Sequence, residues 1–464
     1  MRADVVVIGA GQGGVPLAAW LAGAGRRVVL VERGELGGTC VNTGCTPTKT
    51  LIASAQAAHV ARTAGRLGIH AGEVRVDFAA VMRRKDEVVG QWRHGVEKRL
   101  RESGVEVVRG HARLAGGGRV EVDGETYDAG AIVVDVGLRP AVPPVRGLDS
   151  VPYLTNATAL ALAELPRRLL VLGGGYIGCE LGQAFRRFGA EVALVDPGRH
   201  LMGREDDDVS EALEEAFRGE GIEIHLGSRA VEAAKTEDGV RLTLDDGRTL
   251  EGSHLLVAAG RAPNTDGLGC GAAGIDLDGH GFIPVDDAYR TSAEGVYAIG
   301  DCTGGPQFTH TSWDDGRILF GVLTGAREGG RDGRIVPYTA FTDPQVARVG
   351  ISEREAREAG IRYELATMPF GHVARAIETD ERAGVMKMLI DPATERILGA
   401  AFVGAQAGEL IHVPAALMRA GASVRALVDG QMVHPTFAEG LQTLLLRLDR
   451  FAPTTAPREG AGAG

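Results

Sequence analysis

Two cysteines five positions apart are the residues of this 464-residue chain whose chemistry is most informative. Cys40 and Cys45 lie in GGTCVNTGCTPTK, called here the cysteine segment (residues 37–49). On a regular helix, two such residues are about 140° apart around the axis and about 7.5 Å apart along it, too far for a disulfide. A bonded pair therefore requires a distorted turn, and Gly37, Gly38 and Gly44 give the backbone that freedom.

A helix is predicted to follow the second cysteine. Pro47 suits a first helical turn, and the helix is expected to continue over residues 50–62. Cys45 then lies beside a helix N-terminus with Lys49 nearby, and both positive charges lower a thiol pKa from its usual value of about 8.5. The segment is interpreted as a redox pair. The alternative is two buried cysteines that act as small hydrophobic residues.

A pattern that occurs twice predicts the elements that position this pair. The first copy is a strand over residues 5–8, three glycines, a helix over 16–24, a strand over 28–31 and Glu32. The second is a strand over 169–172, three glycines, a helix to about 188, a strand over 192–195 and Asp196. The glycines are Gly9, Gly11 and Gly14 in the first copy and Gly173, Gly175 and Gly178 in the second.

Both copies have the arrangement that binds a dinucleotide. The first glycine permits a tight turn, the second lets backbone N–H groups approach a pyrophosphate, and the third lets the helix pack against the strand. The acid at the end of the next strand accepts hydrogen bonds from the ribose. The alternative is two ordinary strand-to-helix turns. The repeat favours two bound dinucleotides.

The remaining pattern predicts an α/β chain with two Rossmann-like domains and a C-terminal α+β domain. Residues 255–264 and 296–301 read as buried strands that end in glycine turns. After about residue 333, strands over 385–390 and 397–403 with helices after 407 indicate an antiparallel sheet covered by helices. The end of the chain after Phe451 is rich in Pro, Gly and Ala and is expected to be frayed.

Composition narrows the function classes. The chain has 50 Lys+Arg against 61 Asp+Glu and a net charge of −11, which disfavours a nucleic-acid partner. No apolar run approaches the roughly 20 residues that cross a bilayer, and the start is read as a buried strand rather than a signal peptide, so no membrane partner is expected. Five cysteines favour reduced thiols and a cytoplasmic location. No zinc-site spacing is present, so no metal site is predicted.

The cysteine segment, both glycine repeats, Gly300–Asp301 and HPTFAE (residues 434–439) resemble the class I pyridine nucleotide-disulfide oxidoreductases. The segments VGLRPAVPP, VPYLTN and GGPQFTHTSWDD are most similar to mercuric-reductase-like members, although the C-terminal cysteine pair and the N-terminal metal-binding domain of those enzymes are not found here. The resemblance implies an FAD-binding domain over residues 1–150 and 271–335, an NAD(P)-binding domain over 151–270, and a C-terminal dimerisation domain over 336–464.

The resemblance also implies roles for individual residues. Cys45 is expected next to the flavin, and Cys40 is expected to attack the substrate. Lys49 is expected near flavin N5 and paired with a glutamate of the second domain. His434, held by Glu439, is expected to serve Cys40 of the other subunit as acid and base. The residues expected to bind FAD are Gly9, Gly11, Gly14, Glu32, Gly38, Thr39, Lys49, Gly137, Asp301, Thr309 and His310. Those expected at the nicotinamide nucleotide are Gly173, Gly175, Ile177, Gly178, Glu180, Asp196 and Gly260.

The predicted function is therefore an FAD-dependent oxidoreductase that passes electrons from NADH through the flavin and the Cys40–Cys45 disulfide to a small disulfide or a thiol-binding acceptor. Asp196 favours NADH because its carboxylate repels a 2′-phosphate. Arg199, three residues on, could pair with that phosphate, so NADPH remains the alternative. A homodimer with a shared active site is expected. The alternatives are a diaphorase or quinone reductase that uses the flavin directly, and a lipoamide-dehydrogenase-like subunit of a larger complex.

Three local features are left for the structure to explain. Asp135, Val136 and Gly137 occupy the place where many relatives have Ala-Thr-Gly, and the sequence offers no reason for a carboxylate there. The acidic run over residues 205–208 and the basic run over 83–85 are predicted to be solvated helix faces.

Overall fold

The structure is a computed structural model that describes residues 1–452, so the predicted frayed tail lies outside the described residues. The described chain forms two compact units. The first unit comprises Met1–Arg199 and Gly221–Arg334, and the second comprises His200–Glu220 and the chain from Ile335 onward.

The strands and helices follow one another along the chain. The strands are β1 (Arg2–Ile8), β2 (Val28–Glu32), β3 (Glu106–Arg109), β4 (Ala112–Gly116), β5 (Arg119–Val122), β6 (Glu125–Val134), β7 (Leu138–Pro140), β8 (Tyr153–Leu154), β9 (Arg168–Leu172), β10 (Glu191–Val195), β11 (Glu223–His225), β12 (Ala230–Thr236), β13 (Gly239–Leu244), β14 (Thr249–Gly252), β15 (His254–Val257), β16 (Arg261–Pro263), β17 (Val296–Ala298), β18 (Tyr338–Ala340), β19 (Gln345–Gly350), β20 (Glu364–Pro369), β21 (Val385–Ile390) and β22 (Ile397–Gly404). The helices are α1 (Gly14–Gly23), α2 (Gly38–Asn42), α3 (Cys45–Thr63), α4 (Phe78–Glu102), α5 (Asn156–Ala159), α6 (Tyr176–Phe188), α7 (Asp207–Gly219), α8 (Thr309–Leu323), α9 (Glu353–Glu358), α10 (Ala374–Glu378), α11 (Ala407–Leu410), α12 (His412–Ala420), α13 (Arg425–Val428) and α14 (Glu439–Leu445).

Two sheets, one largely parallel and one wholly parallel, form the framework of the first unit. One has the order β3-β2-β1-β6, continues through the antiparallel strands β5 and β4, and pairs β17 with β6. The other has the order β11-β10-β9-β15-β8 and is parallel throughout. In β1, Val6 and Ile8 pack into one core cluster, while Val5 and Val7 pack into another. The central strand is therefore buried on both faces, as expected for a parallel sheet covered by helices.

The second unit contains an antiparallel sheet of order β18-β19-β22-β21-β20. Its core cluster includes Met386, Met388 and Phe402 from the sheet and Leu441 and Leu444 from α14. The mixed α/β fold, with two dinucleotide-type sheets followed by an α+β domain, confirms the predicted fold class. The predicted strand over residues 385–390 coincides with β21.

Both charge-run predictions were wrong in part. Lys85 is buried and donates a 2.6 Å hydrogen bond to the carbonyl oxygen of Leu160. Glu205 and Asp206 are also buried. Asp206 meets Lys387, whose ammonium lies 3.1 Å from its carboxylate and whose side chain is 1% exposed. A run of charges in sequence does not reveal a distant hydrogen-bond acceptor or opposite charge, and such a partner offsets the free-energy cost of burying a charged group.

Candidate active site

The first glycine loop (residues 9–14) joins β1 to α1. Gly9 has φ of 108°, and a Cβ there would lie 2.2 Å from the carbonyl oxygen of Asp135, so only glycine fits. Glu32, at the end of β2, accepts hydrogen bonds from the N–H groups of Ala10 at 2.8 Å and Gly34 at 2.7 Å. The loop therefore brings the N-terminus of α1 and a carboxylate together, as phosphate and ribose groups require.

The second glycine loop (residues 173–178) repeats this construction between β9 and α6. Gly173 has φ of 116°, and a Cβ there would lie 2.4 Å from the carbonyl oxygen of Ala258. Asp196 accepts hydrogen bonds from the N–H groups of Gly174 at 2.6 Å and Gly198 at 2.7 Å. Both loops thus have the backbone cradle and the acid that fit a dinucleotide.

The cysteine segment packs directly against the first loop. The N–H of Gly37 donates to the carbonyl oxygen of Ala10 at 2.9 Å. Gly38 has φ of 61°, and a Cβ there would lie 2.8 Å from the Cα of Gly11. Helix α2 therefore begins in backbone contact with the first loop, and Thr39 and Cys40 follow in its first turn.

The two cysteines lie on consecutive helices. Cys40 is on α2, and Cys45 is the first residue of α3, as the predicted helix N-terminus requires. Both are free thiols, which is the reduced form of a redox pair. The distorted turn between them is the break at Thr43 and Gly44, which the sequence did not predict as the gap between two helices.

The pKa values of the two thiols are shifted in opposite directions. A hydrogen bond from Cys40 lowers the pKa of Cys45 to about 6, helped by the Thr309 hydroxyl and the Lys49 ammonium and opposed by burial and by Glu180. The hydrogen bond to Cys45 raises the pKa of Cys40, and burial adds to the rise. Near neutral pH, Cys45 is thus a thiolate while Cys40 keeps its proton.

The sulfur of Cys45 contacts α8, and Lys49, which acts on the thiolate electrostatically, is held by an ion pair. Its Sγ lies 3.2 Å from Oγ1 of Thr309, the first residue of α8. The Lys49 ammonium lies 2.6 Å from a carboxylate oxygen of Glu180 on α6, so the structure contains the predicted ion pair. The Thr309 side chain is a contact that sequence reasoning missed, since 264 positions separate it from Cys45 and only its backbone was expected at the site.

Two more predicted cofactor residues, Asp301 and His310, lie after β17 and at the start of α8. Asp301 follows β17 and pairs with Arg261 at 2.7 Å. Burial raises the pKa of Asp301 even though Arg261 opposes the rise. His310 stacks on Phe308 at the start of α8, with ring centroids 5.4 Å apart.

The two remaining glycines and Ile177 lie in or beside turns of the same unit. Gly137 follows β6 with φ of 59°, and Gly260 follows β15 with φ of 133°. Ile177 is a half-buried residue in the first turn of α6.

The predicted acid–base pair belongs to the second unit. His434 Nδ1 lies 2.9 Å from a carboxylate oxygen of Glu439, the first residue of α14. The His434 side chain is 70% exposed, whereas that of Glu439 is 17% exposed. A carboxylate that holds one ring nitrogen fixes the imidazole orientation and leaves the other nitrogen, Nε2, available for proton transfer.

Comparison with known proteins identifies the family. Residues 3–316 match the pyridine nucleotide-disulphide oxidoreductase family, and residues 336–445 match its dimerisation domain. The chain belongs to this family. It is therefore an enzyme that uses FAD and NAD(P)H in disulfide oxidoreduction, as the sequence predicted.

Relatives that are named for different activities are about equally similar to this chain. A dihydrolipoyl dehydrogenase of Thermus scotoductus is 37% identical, with 94% of this chain and 95% of that protein covered. A mercuric reductase of Lysinibacillus sphaericus is 34% identical, with 96% and 83% covered. The Cu(II) complex of the HOCl-induced flavoprotein disulfide reductase RclA from Escherichia coli has a TM-score of 0.89 at 32% identity, with 97% and 100% covered.

Within residues 1–452, no helix is long and apolar enough to cross a membrane. In that same range, no group of three or more His, Cys, Asp or Glu side chains is arranged to hold a metal ion.

Proposed function

We propose that this flavoenzyme uses NADH to reduce a small disulfide through Cys40 and Cys45, as a cytoplasmic homodimer. The observation that carries the proposal is the pair of unequal thiols beside the first glycine loop. The lowered pKa of Cys45 and the raised pKa of Cys40 assign them different roles. The matched dimerisation domain supports the homodimer.

The first glycine loop and Glu32 would hold FAD, which would supply two-electron transfer between the nicotinamide and the Cys40–Cys45 disulfide. Thr309 and Lys49 stabilise the charge of the Cys45 thiolate that results. Glu180 orients Lys49 and partly offsets its charge. The dithiol then holds both electrons for the acceptor.

Cys40 is the sulfur that attacks the acceptor. It keeps its proton near neutral pH, so it needs a base, and a histidine held by a carboxylate is suited to that task. The Cys40 sulfur forms a mixed disulfide with one half of the acceptor, and the other half leaves as a thiol after taking the proton. The Cys45 thiolate then attacks Cys40, releases the second thiol after one further protonation, and restores the disulfide.

His434 and Glu439 of the other subunit supply this base. The support is the exposure of His434 together with its 2.9 Å contact to the largely buried Glu439. An exposed imidazole whose Nδ1 is held by a carboxylate can accept a proton on Nε2 from a thiol of another subunit. The active site is then complete only in the homodimer.

NADH is the proposed reductant because Asp196 provides a carboxylate at the part of the second loop that would bind the ribose. Its carboxylate already accepts two backbone N–H groups, which fix its charge where a 2′-phosphate would lie. The like charge repels that phosphate, whereas ribose hydroxyls can donate to the same oxygens.

A thiol-binding metal ion is the second candidate acceptor. Two of the relatives above are a mercuric reductase and a reductase whose structure is a Cu(II) complex. Two thiols placed together, as in Cys40 and Cys45, also chelate soft metal ions such as Hg(II) and Cu(I). In this reading the metal ion is the substrate rather than a resident cofactor.

Replacement of Cys40 by serine tests the proposal. We expect Cys40→Ser to lower NADH-dependent disulfide reduction on the order of 10³-fold, while NADH reduction of a quinone continues. Cys270→Ser, a buried thiol of the same unit, is the matched control. Disulfide reduction that survives in Cys40→Ser would exclude this thiol role and favour direct use of the flavin. A panel of disulfides, Hg(II) and Cu(II) then chooses between the two acceptor classes.

A further inference from the structure

Asp135 is a buried carboxyl directly behind the first glycine loop. It follows β6, and its backbone N–H donates to the carbonyl oxygen of Ile8 at 2.8 Å. Its Oδ2 accepts the N–H of Gly14, the first residue of α1, at 2.7 Å. The carboxyl therefore occupies the positive end of the helix that the loop presents to a dinucleotide phosphate.

Three glycines make room for this side chain. A Cβ on Gly11 would lie 2.9 Å from Oδ2, and one on Gly14 would lie 3.0 Å from the same atom. A Cβ on Gly300 would lie 2.7 Å from Oδ1. The carboxyl is thus enclosed by the first loop on one side and by the Gly300–Asp301 turn on the other.

The charged groups that act most strongly on Asp135 are carboxylates. Asp301, Asp315 on α8 and Glu32 on β2 all act on it. Arg261 is paired with Asp301, and Arg334 is paired with Asp315. Neither arginine forms an ion pair with Asp135. Among the described residues, Asp135 has no salt-bridge partner, and it also acts on the buried thiol of Cys302.

Burial is the main cause that raises the pKa of Asp135 well above its usual value, and the three acids add to it. The Gly14 N–H opposes the rise. A carboxylate without a cation in such a place is costly, whereas a neutral carboxylic acid is not.

The second loop gives an internal comparison. Ala258 follows β15 as Asp135 follows β6, and its N–H donates to Leu172 at the same 2.8 Å. The backbone of Ala258 limits Gly173 just as that of Asp135 limits Gly9. A glycine loop of this geometry therefore forms with alanine behind it, so the carboxyl is not needed to build the loop.

We propose that Asp135 is an FAD-binding residue that acts as a neutral carboxylic acid, so that its ionisation weakens FAD binding. The inference rests on the assignment of FAD to the first loop. In the neutral form, Asp135 accepts the Gly14 N–H without adding charge. In the ionised form, it adds a negative charge behind the first loop and competes with the pyrophosphate for the positive end of α1.

The test is FAD binding to the apoprotein as a function of pH. The FAD dissociation constant is measured by fluorescence quenching from about pH 6 to about pH 9 for the wild type, Asp135→Asn and Asp135→Ala. One proton is involved, so the wild-type affinity should fall by at most about tenfold per pH unit above the pKa of the free carboxyl. Asn keeps the hydrogen-bond acceptor but cannot ionise, and Ala copies position 258. Both variants should lack this part of the pH dependence.

A second measurement uses only the wild-type protein, in case a variant does not fold. FAD added to the apoprotein at alkaline pH should take up as much as one proton, measured by calorimetry in buffers with different ionisation enthalpies. Parallel pH curves for the wild type and Asp135→Asn, or no proton uptake at any pH, would overturn the inference. Glu32→Ala is the separate check on the site: unchanged FAD binding there would remove FAD from the first loop altogether.

Discussion

The two glycine loops have the same backbone construction but different side chains behind it. The first glycine of each has a positive φ, 108° at Gly9 and 116° at Gly173, and each faces a carbonyl oxygen at the end of a neighbouring strand. Each loop also has an acid that accepts two backbone N–H groups. Asp135 lies behind the first loop and Ala258 behind the second.

This difference separates what builds a dinucleotide loop from what adapts it to one ligand. Backbone hydrogen bonds and the absence of Cβ atoms determine the turn, and these are common to both loops. Side chains that enter the loop from elsewhere in the fold differ, and the first loop alone has the cysteine segment packed against it through Gly37 and Gly38. Replacements that affect one loop and not the other test this separation.

The largest effect is expected when a methyl group is added to the first glycine of either loop. Gly9→Ala and Gly173→Ala place a Cβ within 2.2 Å and 2.4 Å of a backbone oxygen, respectively, which the fold cannot relieve by moving a side chain. Gly9→Ala should be isolated without FAD. Gly173→Ala should retain FAD, but its rate of flavin reduction by NADH at low concentration should fall by about 10²-fold or more.

Flavin content and anaerobic reduction by NADH measure the two outcomes. Gly23→Ala, where an added Cβ meets nothing within 4 Å, is the matched control. Loss of FAD from Gly173→Ala together with a folded, FAD-containing Gly9→Ala would reverse the assignment of the loops.

An intermediate effect is expected at the acid of the second loop. Asp196→Asn removes the charge but keeps the size of the side chain. A hydrogen bond to a charged group contributes about 1.5–3 kcal/mol, so kcat/KM for NADH should fall by about tenfold or more. The kcat/KM for NADPH should rise, because the repulsion between the Asp196 carboxylate and the 2′-phosphate disappears and Arg199 is only three residues away in the sequence.

The measurement is the ratio of kcat/KM for NADH and NADPH. Glu191→Gln, at the exposed start of the same strand, controls for a general effect on β10. An unchanged ratio in Asp196→Asn would show that the charge at this position does not select the nucleotide.

The smallest effect is expected where the cysteine segment meets α8. The thiolate fraction of Cys45 should increase through about pH 6, so its alkylation rate should rise with pH and level off above that value. Thr309→Val removes the hydroxyl that stabilises the thiolate. The pKa of Cys45 should then increase by about one unit, and the rate curve should move to higher pH.

Mass spectrometry of the alkylated peptide distinguishes Cys45 from Cys40. Thr309→Ser keeps the hydroxyl and should restore the wild-type curve. If the alkylation rate of Cys45 depends on pH in the same way in Thr309→Val and in the wild type, the 3.2 Å contact between Thr309 and Cys45 has no influence on the thiolate.

Repeated local patterns were the part of this molecule that the sequence predicted well. The strands and helices around both glycine loops, and the start of α3 at Cys45, follow from glycine spacing, apolar runs and Pro47. The buried charges were predicted poorly. Lys85 is buried because of a carbonyl 75 positions away, and Asp206 because of Lys387, 181 positions away.

The sequence by itself determined the two dinucleotide loops, the redox pair and the family, because each depends on residues only a few positions apart. Only the tertiary structure decided that a hydrogen bond from Cys40 and the Thr309 hydroxyl also lower the pKa of Cys45, and where the carboxyl of Asp135 lies. Both depend on groups brought together from distant strands and helices, and a pKa responds to every charge and hydrogen bond in its surroundings, whatever their separation along the chain.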